Sequence, residues 1–195
     1  MKKPVKQRFK LGNMNCECCI RLIQLELERA GMQLVKAELG DIVVGYNGHE
    51  YNRRDVESFI QSIGFVVVED KETELVEEIK RTVIELVHHS TYNAMVRNSD
   101  FLVGRFNKSY QHLSSVFSKH EHITLEKFII RQRIAKAMEL IQIEDVTLSE
   151  IAFMMGYSSV QYLSSQFREI TGISVSEFKK NPAKYRTAYM HQISS

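Results

Sequence analysis

Two periods of apolar and polar positions divide the chain. Over the first 70 residues, short stretches of period two alternate with stretches of period 3.6. Gln7–Gly12 sets Phe9 and Leu11 on one side and predicts a strand. Glu17–Ala30 carries a helical stripe at Ile20, Ile23, Leu27 and Ala30, and Gly31 follows where a helix-ending glycine belongs. Gln33–Leu39 and Asp41–Tyr46 predict two strands joined tightly at Gly40–Asp41. Beyond Asn47–Gly48, Asn52 can cap a helix over Arg53–Ile63 with Val56, Phe59, Ile60 and Ile63 inward. Gly64 stops that helix, and Phe65–Glu69 reads as a last apolar strand. The order is β-α-β-β-α-β, which predicts an α+β domain of the split, ferredoxin-like arrangement.

From Lys71 onward the period is 3.6. Thr73–Val87 places Leu75, Val76, Ile79, Val83, Leu86 and Val87 on one face and glutamates on the other, an amphipathic helix suited to connect two domains. Further helices are predicted at about Asp100–Phe106, Ser109–His120, Leu125–Ile143, Ser149–Met155, Ser159–Thr171 and Ser174–Lys180. The intervening turns are too short for a sheet, so this half is all-α. It contains two similar units of short helix, turn and longer helix, a degenerate internal repeat.

The second unit is the sharper one. Leu148, Ile151 and Ala152 face inward, Gly156 permits a tight turn, Ser158 can cap, and Val160, Leu163 and Phe167 line the next helix. This is helix-turn-helix spacing, in which the second helix can enter a major groove. Its outer face offers Ser159, Gln161, Tyr162, Ser164, Ser165 and Gln166 to base edges and Arg168 to phosphate. An ordinary helical bundle with a polar solvated face fits the same spacing.

The stretch from Leu148 to Phe178, with its Ile151-Ala152 pair, Gly156-Tyr157-Ser158 turn, Phe167-Arg168 and Thr171-Gly172-Ile173-Ser174, resembles the C-terminal signature of the AraC-type transcription regulators. Phe101–Leu125 resembles the family's first helix-turn-helix, with Leu102, Ser109, Leu113 and Phe117 at the marker positions. Val103, His122 and Val175 depart from the usual Ala, Gly and Pro. The resemblance covers roughly residues 75–186 and implies two recognition helices joined by the long helix Leu125–Ile143, reaching successive major-groove segments of double-stranded operator DNA. It carries base reading onto Tyr110, Gln111, Ser114 and Ser115 of the first unit. It places Arg131, Arg133, Lys136 and Arg168 as phosphate contacts, and it makes RNA polymerase and a second copy of the chain expected partners.

Composition narrows the class without naming a partner. With 44% apolar and 26% charged residues in 195, the chain is a folded protein, not a disordered, collagenous or disulfide-built one. No window reaches the roughly 18 consecutive apolar residues of a membrane span, and the basic start runs into alternating residues instead of a signal-peptide core, so a cytoplasmic protein with no membrane partner is expected. The net charge of +2 becomes informative when divided. Residues 1–70 hold 10 Lys+Arg against 10 Asp+Glu, residues 71–96 hold 3 against 5, and residues 97–195 hold 13 against 9. The positive excess lies in the half that resembles a DNA reader.

All three cysteines fall in Met14-Asn15-Cys16-Glu17-Cys18-Cys19, between the first strand and the first helix. Cys16 in the loop and Cys19 in the first helical turn can converge, while the helix amides favour their thiolates. Two soft thiolates suit Cu(I), whereas Zn needs further ligands. Cys18, about 100° around the helix from Cys19, is a candidate third ligand. Buried small hydrophobes or a redox pair would also account for the cysteines. The histidines, including His88-His89 and His120-x-His122, read as solvated surface residues.

Met14-Asn15-Cys16-x-x-Cys19 within β-α-β-β-α-β resembles the heavy-metal-associated domain of copper chaperones and metal-pumping ATPases, over about residues 7–69. The resemblance implies that Met14 packs beneath the loop without ligating and that Phe65 lies near the site; Asn13 replaces the usual Gly. Residues 1–70 are then a sensor domain, 71–97 a connecting helix and turn, 98–186 a double helix-turn-helix DNA-binding domain and 187–195 a tail. The fold class expected is an α+β ferredoxin-like βαββαβ domain followed by an all-α domain with two helix-turn-helix units joined by a long helix. The function expected is transcription regulation responsive to a soft metal ion, Cu(I) first, at Cys16 and Cys19. A thiol-redox regulator and a metal carrier with a protein-binding helical half are the alternatives. No carboxylate pair, Ser/His/Asp grouping or glycine-rich phosphate loop stands at a meaningful spacing, so no enzyme is expected.

Overall fold

In the computed structural model, residues 4–89, 98–143 and 145–185 are described, and the chain divides into two units between Arg81 and Thr82. The predicted turn at residues 90–97 and the predicted tail at residues 187–195 lie outside the described residues.

The first unit runs β1 (Val5–Gly12), α1 (Glu17–Arg29), β2 (Gln33–Glu38), β3 (Asp41–Tyr46), α2 (Arg53–Ser62) and β4 (Val66–Val67). The strands form one sheet in the order β2-β3-β1-β4, with every neighbouring pair antiparallel. Alternation along the strands decides which side is buried. Phe9 and Leu11 of β1 meet Ile42, Val44 and Tyr46 of β3, and Ile23 and Leu27 of α1 and Val56 and Ile60 of α2 close the core over them. Arg8 and Lys10 point away from this core and converge on Asp41.

The β2–β3 connection is a two-residue turn at Leu39 and Gly40, with Glu38 opposite Asp41. Gly40 has φ +76° and no Cβ, and the Arg81 guanidinium occupies the space a side chain there would need. The last strand is shorter than the apolar run Phe65–Glu69 predicts. Phe65 N–H is used to close α2 on Ile60 O at 3.2 Å, so only Val66 and Val67 pair with β1 before a single further bond from Val68 N–H to Lys10 O. Asn52 caps α2 as predicted, in a reciprocal capping box with Asp55.

α3 (Lys71–His89) follows, and the division between the units falls inside it, so residues 71–81 belong with the sheet. Its predicted face is the one that is buried: Val76, Ile79, Val83, Leu86 and Val87.

The second unit contains α4 (Asn98–Phe106), α5 (Tyr110–Glu121), α6 (Leu125–Leu140), α7 (Leu148–Met154), α8 (Val160–Thr171) and α9 (Val175–Lys180). α6 buries Leu125, Phe128, Ile129, Ile134, Ala135, Ala137, Met138 and Leu140 around its circumference, and α5 and α8 both pack on it. It ends three residues earlier than periodicity predicts, because the amides of Gln142 and Ile143 turn back to Glu139 and Leu140 in tightened i to i+3 bonds.

The sequence repeat has an exact geometric counterpart at an offset of fifty residues. Ser109 and Ser159 cap α5 and α8, His122 and Gly172 end them in the left-handed region, and Thr124 and Ser174 cap the helices that follow. Leu113 and Phe117 correspond to Leu163 and Phe167, all four fully buried. The ring pair Phe117–Phe128, with centroids 5.2 Å apart, recurs as Phe167–Phe178 at 5.7 Å. His122 takes φ +56° where the second unit has Gly172 at +77°. The repeat thus demands a left-handed residue at this point, and only the second copy fills it with glycine.

Candidate functional site

Two groups of predicted residues come together, one in each unit. In the second unit, α5 and α8 present matching polar faces. Gln111 and Ser115 on α5 are exposed, and so are Gln161 and Ser165 at the same repeat positions on α8. Ser114 and Ser164 sit half-buried beside them. Arg168, one turn beyond Ser165, extends the α8 face and is exposed. Neither α5 nor α8 carries an acidic residue in its first turn, whereas α6, α7 and α9 do. The positive dipole ends of the two polar-faced helices therefore carry no first-turn carboxylate of their own.

Some predicted readers are placed differently. Ser159, not Ser158, caps α8, and its Oγ accepts the Tyr162 amide at 3.1 Å, leaving the hydroxyl hydrogen to donate elsewhere. Tyr110 is half-buried, and burial followed by the nearby Glu126 carboxylate pushes its phenol up. Tyr162 is 51% exposed and stacks edge-on against Tyr157 at 5.5 Å. Of the cations on α6, Arg131 is half-buried and Lys136 pairs with Glu139 at 3.0 Å. Arg133 departs most: its guanidinium lies over the Tyr157 ring, 5.9 Å from the centroid, and its Nε is buried without a hydrogen-bond partner. Nothing in an i, i+3 or i+4 pattern signals this, because Tyr157 comes from the turn after α7. His88, expected at the surface, is largely buried with its Nδ1 3.9 Å from Glu139.

In the first unit the cysteine loop lies between β1 and α1. Cys16 is the N-cap of α1, and the Cys19 amide donates to its carbonyl at 3.0 Å, which draws Cys16 Sγ and Cys19 Sγ to 3.3 Å. Their environments split the pair. For Cys16, burial raises the thiol, but hydrogen bonds from the Cys19 side chain and amide, and then from Cys18, outweigh it and bring it below its ordinary value. For Cys19, burial comes first and the bond to Cys16 adds to it, so its thiol is raised. The expectation that the helix amides favour both thiolates is thus met at Cys16, whereas at Cys19 burial and the bond to Cys16 outweigh the backbone hydrogen bonds, which still act to lower its thiol. Cys18 is exposed. Among the described residues, no group of three or more His, Cys, Asp or Glu is gathered for a metal ion.

The loop is held from below and from the side. Met14 is fully buried, and its Sδ accepts the Gly40 amide at 3.4 Å. Asn13 adopts φ +50°, a left-handed conformation that asparagine tolerates better than most residues. Its side chain donates to Gly64 O at 2.7 Å and its amide donates to Glu77 Oε2 at 2.7 Å. Glu77 is itself buried and paired with Lys80 at 2.9 Å. Sequence reasoning missed Glu77, which looks like one more glutamate on the polar face of α3. Its only signal is Gly12, where a Cβ would come within 3.0 Å of the Glu77 carboxyl carbon.

Residues 102–181 match a family model described as a helix-turn-helix domain. The Msm operon regulatory protein of Streptococcus mutans is 25% identical over 97 residues, covering 50% of this chain and 34% of that protein. The xylose operon regulatory protein of Haemophilus influenzae is 27% identical over 100 residues, covering 51% of this chain and 26% of that protein. The matched stretch therefore spans about a third or less of either relative. Among solved structures, the C-terminal domain of AraT, a response regulator from Geobacillus stearothermophilus, aligns with a TM-score of 0.48 at 20% identity, over 57% of this chain and 88% of that one. No helix among the described residues is long and apolar enough to cross a membrane.

Proposed function

From a C-terminal half that carries an AraC-type helix-turn-helix domain, we propose that the chain is a transcription regulator that binds double-stranded DNA through α5 and α8. The observation that carries this reading is the repeated polar face, Gln111 with Ser115 and Gln161 with Ser165, on two helices whose first turns lack acid. Glutamine and serine can exchange hydrogen bonds with base edges in a major groove, and a helix on a rigid core fixes where they point. Arg168, Arg131 and Lys136 are the phosphate contacts of this reading. The fifty-residue repeat supports two helix-turn-helix units that read successive groove segments, and α6 is the long helix between them.

The same reading makes the first unit the sensor. Its sheet order β2-β3-β1-β4 with two helices supports a ferredoxin-like arrangement. The donor set is two soft sulfurs at a loop over a buried methionine, which fits a soft ion of low coordination number better than Zn. Cys16 and Cys19 would hold the ion, which supplies a link between the loop and the first turn of α1. A signal reaches DNA only if the metal binds one arrangement of the chain better than another.

The decisive experiment measures DNA binding at low salt, without oxygen, for the full chain with and without Cu(I) or Zn(II), and for Cys16→Ser/Cys19→Ser. DNA affinity that shifts with Cu(I) only in the parent protein is the expected result. Equal affinity under every condition would leave a DNA-binding protein with no metal response. The 3.3 Å approach of the two sulfurs also favours a second reading, in which an oxidant takes two electrons and two protons to form a Cys16–Cys19 disulfide. A response to oxidant and none to Cu(I), lost in the double variant, would select it.

A further inference from the structure

The second unit holds a cleft of about 410 Å3 that the DNA-reading face does not account for. It is built from three parts of the unit. Asn98 and Tyr110 come from the α4–α5 side, Ile130 and Arg133 from α6, and Tyr157 and Tyr162 from the turn and first residues of the α7–α8 pair. A volume of this size is within the usual range for a small-molecule site. Its walls mix aromatic and aliphatic side chains with polar ones, and three of its polar atoms are unsatisfied. Arg133 Nε, Tyr157 Oη and Asn98 Oδ1 are all buried without a hydrogen-bond partner.

An unpaired guanidinium is the most telling of these. Burial costs a charged group its hydration, and native structures restore the loss with an opposite charge. The ring of Tyr157 below Arg133 compensates only in part, and among the described residues no carboxylate lies within ion-pair distance of it. Burial also pushes the Arg133 guanidinium down and the Tyr157 phenol up to about 12, so the tyrosine stays a neutral donor beside the cation. Two donors, one of them charged, thus belong to residues that line one cleft, and neither has an acceptor hydrogen-bonded to it. Glu126 lines the same cleft seven residues earlier on α6, two turns or about 10 Å away. A ligand that reached both ends with negative charge would be repelled at one of them.

We infer that this cleft binds a small amphipathic monocarboxylate, with its carboxylate on Arg133 and Tyr157 and its apolar body between Tyr110, Ile130 and Tyr162. Such a ligand would touch both helix pairs and α6 at once, and so would fix the spacing of α5 and α8. The site is independent of the cysteine loop and does not require DNA.

The test uses the full chain with benzoate as the probe and benzamide as its neutral isostere, with binding followed by chemical-shift titration of tyrosine and arginine side chains. Saturable benzoate shifts at Tyr157 and at Arg133 Nε–Hε are expected. Binding should weaken at least about tenfold for benzamide and for Arg133→Gln, and severalfold for Tyr157→Phe. Tyr157→Phe keeps the ring under Arg133 and so remains informative if Arg133→Gln unfolds. Equal affinity for benzoate and benzamide, or no saturation by benzoate, would overturn the proposal. So would saturation by inorganic phosphate and DNA alone, which would make the cleft a seat for a backbone phosphate.

Discussion

The Asn13 amide donates to Glu77 Oε2 across 2.7 Å, so the residue that opens the cysteine loop is tied to a buried carboxylate on α3. The two lie sixty-four positions apart in the chain, and Glu77 is only 8% exposed. Replacing it by alanine removes the acceptor of the Asn13 amide. We expect Glu77→Ala to cost about 1–3 kcal/mol of stability, and Glu77→Gln, which keeps an acceptor oxygen, distinctly less. Chemical denaturation of the full chain, with exchange of the Asn13 amide as the local probe, checks this. Identical curves for both variants and the parent would show that the contact holds nothing.

The two left-handed helix ends give opposite predictions. No atom lies within 4 Å of where a Cβ would stand at Gly172, so Gly172→Ala tests backbone conformation alone and should cost about 1–2 kcal/mol. His122 already bears that cost at φ +56°, and His122→Gly should recover about 1 kcal/mol or less. Thermal unfolding of the two variants side by side measures both. A neutral Gly172→Ala would mean that the helix end relaxes freely.

On DNA the α8 face should separate into readers and anchors. Gln161→Ala is expected to relax base preference, whereas Arg168→Ala should weaken all sites alike and reduce the salt slope of binding by about one. Binding to a set of singly altered operator sites at several salt concentrations distinguishes them. Indistinguishable profiles for the two variants would refute the division of roles.

Asp41 links pH to the stability of the sheet. Arg8, donating to Asp41 at 2.8 Å, and then Lys10 at 3.2 Å hold its carboxyl below the ordinary range near 3.9. A lowered carboxylate stabilises above its unfolded value and loses that contribution as pH falls through its folded one. Asp41→Asn should therefore cost under about 1 kcal/mol at pH 7, since the partners are substantially solvated, and nothing once the pH has fallen below the folded-state value of Asp41. Urea unfolding of both proteins from pH 2 to pH 7 would show the curves merge; a constant gap across that range would rule out the linkage.

Much of the fold was legible because its signals are local. The stripe at Ile23 and Leu27, the Asn52 cap and the Leu163–Phe167 face depend only on period and on side-chain hydrogen bonds a few residues away. The convergence of Cys16 and Cys19 is local in the same sense, a loop residue and a first-turn residue three apart. The last strand is shorter than its apolar run because such a run does not say which amide a helix end will claim, and here Phe65 is taken by α2. The cation assignments on α6 were legible only in part, since a helix buried on most of its circumference offers no single polar face to read.

The sequence by itself determined the alternation of elements, the Asn52 cap, the buried stripes and the exposed Gln and Ser positions on α5 and α8. Each of these follows from short-range geometry and from which side chains avoid water. Tertiary structure alone decided that Glu77 anchors Asn13 and that the Cys16 thiol falls while that of Cys19 rises. It also decided that Arg133 sits over Tyr157 at a cleft instead of at the surface. Those outcomes depend on desolvation and on charges brought together from distant parts of the chain, and a one-dimensional pattern carries neither quantity.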